Sequence, residues 1–302
     1  GNAAGTSSNG VSLSNVALTA TQGKIAVTGM ADDKHTEYFR NAGGILLQNK
    51  VTFKSIENVV NAYAFNPTNG FAAISFYQGV DVHFIGDTTI NTYANGGSYL
   101  STGLLFANPG SYNQKVSFED GLANVNAVGG ILLGGTSGKV FTPEFHVSNA
   151  TLNITASSDK GVAIATLQQG GSAADNAQNS GYIFTGNGNI SIKGVTTSDG
   201  DTALQLRQFN NTGLNGTFTV HGESMSGAGI IVDRNANFTV HNATITGSSQ
   251  TGTGIQINAG DKYSHQVNLN GNTLTGISGT GTGININGNN VTITNGSLNG
   301  TS

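Results

Sequence analysis

The chain has 302 residues, of which 45 are Gly and 37 Asn, with no Cys, no Trp and only 28 charged side chains for a net charge of −4. Gly and Asn are poor helix formers, so this composition excludes helical bundles and helix-rich enzymes, and the lack of Cys excludes disulfide scaffolds, thiol nucleophiles and thiolate metal sites. The 12 Lys and Arg are scattered, which argues against a nucleic-acid footprint, and no apolar run approaches the roughly 20 residues of a membrane-spanning helix.

Taken in chain order, residues 11–29 pack three strand-like segments into a short stretch (Val11/Leu13, Val16/Leu18, Ile25/Val27), which reads as a tight opening coil over 1–29. Residues 30–41 break the pattern and carry Asp32, Asp33, Lys34, Glu37 and Arg40, as expected of a charged excursion. From there a small residue followed by an apolar one recurs at Gly44-Ile45, Ala73-Ile74, Gly103-Leu104, Gly130-Ile131, Gly161-Val162, Ala203-Leu204, Gly229-Ile230, Gly254-Ile255 and Gly283-Ile284. The steps are 29, 30, 27, 31, 42, 26, 25 and 29 residues. A second element alternates apolar residues: Val51/Phe53, Val82/Phe84, Val116/Phe118, Phe145/Val147, Tyr182/Phe184, Phe218/Val220, Phe238/Val240, Val267/Leu269 and Val291/Ile293. A third follows at Val59, Ile90, Leu122/Val125, Leu152/Ile154, Ile190/Ile192, Met225, Ile245, Leu274 and Leu298. The 42-residue step holds an inserted loop, residues 168–180.

Such a unit cannot bury its own apolar face, but it can bury it against a copy of itself. The expected fold is therefore all-β: a right-handed parallel β-helix, or β-solenoid, of about nine to ten coils of ~20–30 residues, with three short strands per coil. It would form a single domain over 1–302, with Asn and Gly at the corners. A sandwich or up-and-down barrel would show hairpin signals and longer strands. The chain begins at Gly1 and ends on a strand-like pattern, so it reads as a piece of a longer protein.

Candidate functional residues are few. Tyr63 and Tyr93 fall at the same place on consecutive repeats, with Phe65, Tyr99 and Tyr112 nearby; exposed aromatic ladders stack on sugar rings and on protein partners. Arg207 and Asp233 lie four residues after equivalent small residues, which predicts an ion pair between coils. Asp199, Asp201 and Arg234 lie near them, but the next repeats place Asn258 and Asn287 in register, so no second carboxylate completes an acid–base site. His221 and His241 each follow an apolar pair of successive repeats and would stack, without a third ligand in register. His83 and His146 read as surface residues, and the outward Thr positions are mixed with His, Ser and Asn, too irregular for an ice-binding array. No catalytic residue, metal site or cofactor is expected.

The stretch from Val11 to Gly29, with runs such as 237–247 and 288–298, resembles the filamentous-haemagglutinin repeat of large bacterial exoproteins. The resemblance is to type V secreted passengers, the two-partner secretion haemagglutinins and autotransporter adhesins. It implies an outer-membrane transporter during secretion, display on a bacterial cell surface, and binding of a host receptor, matrix protein, glycan or neighbouring cell. Contact-dependent inhibition exoproteins share that style, and β-helical polysaccharide lyases and hydrolases are a second alternative. Asn-x-Ser/Thr sites such as Asn153 and Asn242 are glycosylated in some adhesins of that group, but Asn turns beside Thr strands also create them by chance. Low charge and no Cys suit a chain that crosses a membrane unfolded.

Overall fold

The computed structural model describes residues 2–4, 9–32, 43–65, 72–95, 102–108, 112–135, 142–169, 181–259, 266–288 and 290–302. The chain opens with strands β1 (Asn2–Ala4), β2 (Asn9–Thr19) and β3 (Lys24–Asp32), then two long strands, β4 (Gly43–Phe65) and β5 (Ala72–Asn95). Next come β6 (Thr102–Asn108), β7 (Lys115–Val128), β8 (Ile131–Gly135), β9 (Glu144–Ser158), β10 (Ile164–Gln169), β11 (Gly181–Gly186), β12 (Asn189–Thr196), β13 (Leu204–Leu214), β14 (Phe218–Ser224) and β15 (Ile230–His241). The last are β16 (Ala243–Ser249), β17 (Ile255–Ala259), β18 (Val267–Asn270), β19 (Thr273–Ser278), β20 (Ile284–Gly288), β21 (Val291–Thr294) and β22 (Ser297–Thr301). Among the described residues there is no helix, and so none long and apolar enough to cross a membrane.

All the strand pairings are parallel, yet the architecture is not the expected right-handed β-helix of three short strands per coil. The pairing closes on itself. Strand β5 pairs with β6 through Ala72–Tyr77 and with β7 through Asp81–Tyr93. Strand β13 pairs with β10 through Leu204–Gln205 and with β11 from Gln208 onward. These two shared strands join the path β6–β8–β10 to the path β7–β9–β11, giving a closed ring of eight parallel strands. The core is thus a closed parallel β-barrel, and the other strands are added outside it.

The physical reason lies at the corners. Residues such as Asn49 (φ 55°) and Gln78 (φ 56°) turn the chain through left-handed backbone without ending the ladder. Register shifts between Gln48 and Lys50, and between Lys54 and Glu57, absorb the bend. Strands β4 and β5 therefore run 23 and 24 residues, where three short segments were expected in each.

Side chains alternate between a buried face and the surface. Equivalent inward residues pair in order, on the outer strands as on the barrel's own: Ile45, Ile74, Leu104, Ile131, Ile164, Leu204, Ile230, Ile255 and the partly buried Ile284. Phe rings fill the interior: Phe53 stacks on Phe84 at 4.8 Å and Phe84 on Phe118 at 5.3 Å. Further along, Phe184 contacts Phe145, Phe209 and Phe218 at 5.7, 4.8 and 4.9 Å. Two corner devices recur. Ser224, Ser249 and Ser278 are buried; each donates to a backbone carbonyl of an earlier repeat and accepts an N–H of its own turn. Asn272 donates to the Val240 carbonyl and accepts the Ala243 N–H, both at 2.7 Å, so both ends of a buried amide are bonded.

Several expected placements shift. In the fifth repeat the paired residue is Ile164, not Val162. Phe218 and Val220 pair with Ile190/Ile192 and Ala243/Ile245, so they belong to the third element, and Phe209 takes the second place, pairing with Tyr182 and Phe238. Val60, not Val59, is the buried partner of Ile90, and Met225 and Leu122 are exposed. Met30, Ala31 and Asp32 are strand residues paired with Tyr63, Ala64 and Phe65, while 33–41 lie outside the described residues. Gln168 and Gln169 end β10, and 170–180 also lie outside them.

Candidate functional site

Tyr63 and Tyr93 are direct partners across β4 and β5. Period-2 alternation puts Phe65 on the same face as Tyr63, with their rings stacked at 6.0 Å, and Phe65 lies 6.1 Å from Tyr93. The buried Ala62 and Ala64 anchor this stretch from the other face. The three rings form an outward platform, its outer ring Tyr93 being 37% exposed. Tyr112 is exposed but lies against Gly79, on a different part of the surface ladder, and Tyr99 lies outside the described residues.

Beyond Tyr93 the same outward row continues through Val128 and Ser157 to Val195. Here the surface opens into a cleft of about 400 Å³, lined among others by Tyr93, Val128, Ser157, Ser158, Asp159 and Thr197. Sequence reading missed this cleft, because Ser157 and Ser158 end β9 and Asp159 and Thr197 lie just past strand ends, and only strand pairing brings them beside Tyr93. Next to the platform, Asn61, Asn91 and Asn126 form an amide ladder: Asn91 donates to Asn61 at 3.0 Å and Asn126 to Asn91 at 2.9 Å.

A second polar surface lies on the outward row His83, Ser117, His146 and Thr185. His83 Nε2 is 3.0 Å from Asp81 and its Nδ1 is 3.2 Å from Glu119. Glu144 accepts from Thr185 at 2.5 Å and lies 3.4 Å from Lys115. Ser117 Oγ, buried between the two His, makes no hydrogen bond. His83 therefore lies between two carboxylates, while His146 Nδ1 is hydrogen-bonded to Thr185 at 2.8 Å and lies 3.7 Å from Glu144, which the alternation did not reveal.

His221 and His241 do not stack: His221 pairs with Lys193 and Thr246, His241 with Asn270. No group of three or more His, Asp or Glu able to hold a metal occurs among the described residues. Arg207 follows Leu206, whose partner is Val232, so Asp233 comes next on the neighbouring strand; the Asp233 side chain lies outside the described residues. Asp199 and Asp201 instead accept from Ser226 and Ser198.

His221 Nε2 contacts Glu223 at 2.6 Å, and Lys193 donates to the same carboxylate at 2.8 Å. The Lys193 ammonium holds Glu223 below its ordinary value against the opposing cost of partial burial, with His221 acting in the same direction. A depressed folded-state pKa gives stability that is present above the unfolded value and lost as pH falls through the folded one. Thermal unfolding is expected to shift down as pH drops through and below the carboxylate range, and Glu223→Gln should flatten part of that slope. An identical slope in the variant would contradict the assignment.

No protein-family model matches the chain, and no curated protein or solved structure gives a significant match. The site therefore has to be read from its own chemistry. An exposed aromatic platform, an amide ladder and an open cleft with free polar groups suit recognition of a flexible or polar ligand. The His–carboxylate row is internally paired: Asp81 and Glu119 face the His83 ring, and Glu144 faces Lys115 and Thr185.

Proposed function

We propose that this protein is a surface-binding segment of a secreted bacterial adhesin, resembling type V passengers, and that it works by contact and not by turnover. Its partners would be a host receptor, a matrix protein, a glycan or a neighbouring cell, with an outer-membrane transporter serving its export. The observation that carries the reading is the Tyr63–Phe65–Tyr93 platform opening directly into the cleft. Aromatic anchors of this kind dominate the energetics of binding surfaces. Low charge and a Cys-free chain also support an exported, surface-displayed protein.

The test is binding of the protein to a glycan array, matrix proteins and whole cells, with Tyr63→Ala/Tyr93→Ala beside it. The double variant is expected to bind at least roughly tenfold more weakly, the loss typical of truncated anchors. Both side chains are surface residues, so folding should persist. Unchanged binding would remove the platform from the interface, and turnover of a bound polysaccharide would overturn the non-enzymatic reading.

A further inference from the structure

Resting on that adhesive reading, we infer that the cleft beside Tyr93 is a saccharide subsite selective for an uncharged sugar residue, with Asp159 as its hydroxyl-binding group. Three observations meet here. The floor is apolar and aromatic, made by the exposed faces of Tyr93 and Val128. The walls carry polar groups with no protein partner: among the described residues the Asp159 carboxylate makes no hydrogen bond or ion pair, and the hydroxyls of Ser157 and Thr197 make no hydrogen bond. Among the described lining residues the charge is one-sided, since Asp159 is the sole ionisable group besides the Tyr93 phenol.

A pyranose has the matching chemistry. Its C–H face stacks on an aromatic ring, and its edge presents hydroxyl pairs to a carboxylate, which accepts through two oxygens. A purely apolar partner would leave Asp159 and both hydroxyls facing it unpaired, at a cost. An acidic sugar or sulfate would meet Asp159 with no cation among the described lining residues to offset repulsion. At about 400 Å³ the cleft has room for one or two sugar rings, at the lower end of small-ligand sites. The neighbouring platform then carries the rest of a chain past Phe65 toward Tyr63.

The experiment is saturation-transfer NMR and titration followed by tyrosine fluorescence, which the absence of Trp leaves unobscured. Probes are methyl β-galactoside, methyl β-glucoside, methyl α-mannoside and N-acetylneuraminic acid. At least one neutral glycoside is expected to bind, and N-acetylneuraminic acid at least roughly tenfold more weakly. Asp159→Asn should weaken the neutral sugar about tenfold, the loss of a hydrogen bond to a charged acceptor. Glu57→Gln, an exposed carboxylate paired with Lys24 away from the cleft, should leave it unchanged. Tighter binding of the acidic sugar, no binding of any neutral probe, or no effect of Asp159→Asn would overturn the subsite. In those cases, cell or matrix binding that still depends on Tyr63 and Tyr93 would leave the adhesive reading standing. A protein that binds no sugar, cell or matrix component would overturn both.

Discussion

Phe184→Ala is expected to cost about 4 kcal/mol of folding stability, within the usual range for deleting a buried phenylalanine. Phe184 is 1% exposed. It lies where β11 pairs with both β9 and β13, the junction that closes the strand ring. Its ring touches Phe145, Phe209 and Phe218, which come from three different strands. Deleting it leaves a cavity that no single neighbour can fill, because each is held by its own backbone pairing. Urea unfolding followed by circular dichroism would read the loss as a lower midpoint. Phe65→Ala, on the surface platform, should cost within about 1 kcal/mol in the same assay. Equal losses for the two would contradict the interior assigned to Phe184.

Gly254→Ala is the second substitution with a large expected effect. A Cβ at Gly254 would lie 2.6 Å from the Gly283 carbonyl oxygen and 2.8 Å from that of Gly247, and closer still to the Ile277 amide nitrogen. All three are backbone atoms, which cannot rotate aside. The third and first elements meet here at van der Waals limits through paired glycines: Gly222 with Gly229, Gly247 with Gly254, Gly276 with Gly283. Forcing them apart should cost roughly 3 kcal/mol, at the upper end for overpacking. Gly200→Ala is the control. It has a φ of +77° but nothing within 4 Å of an added Cβ, so about 1 kcal/mol of backbone strain is expected. If Gly200→Ala proved the costlier change, close approach would not explain the recurrence of a small residue before an apolar one along the chain.

That spacing was the most legible feature of the sequence. The small residue before Ile230, Ile255 and Ile284 marks those glycine contacts, and eight of the nine positions from Ile45 to Ile284 pair in the order expected. The fifth failed by two residues, Val162 for Ile164. A period of two looks the same after a two-residue slip, and only cross-strand pairing tells the registers apart. Phe218/Val220 were assigned to the second element because their pattern matches Phe238/Val240, although Phe209 occupies that place. The closed ring could not be read at all. It depends on β5 and β13 each serving two partners, a relation between segments about 30–40 residues apart that leaves no local signature. Of the candidate site, Tyr63, Phe65 and Tyr93 were visible as a repeat of aromatic residues. Asp159 and Thr197 were not, since turn residues without a period carry no sign of what they will adjoin.

The most direct measurement is a crystal structure of the protein with a glycan retained from the array. The binding account predicts a sugar ring stacked on Tyr93, with its hydroxyls on Asp159 and the chain continuing over Phe65. A ligand bound instead on the His83–Ser117–His146 row, with the Tyr93 cleft holding solvent alone, would contradict it.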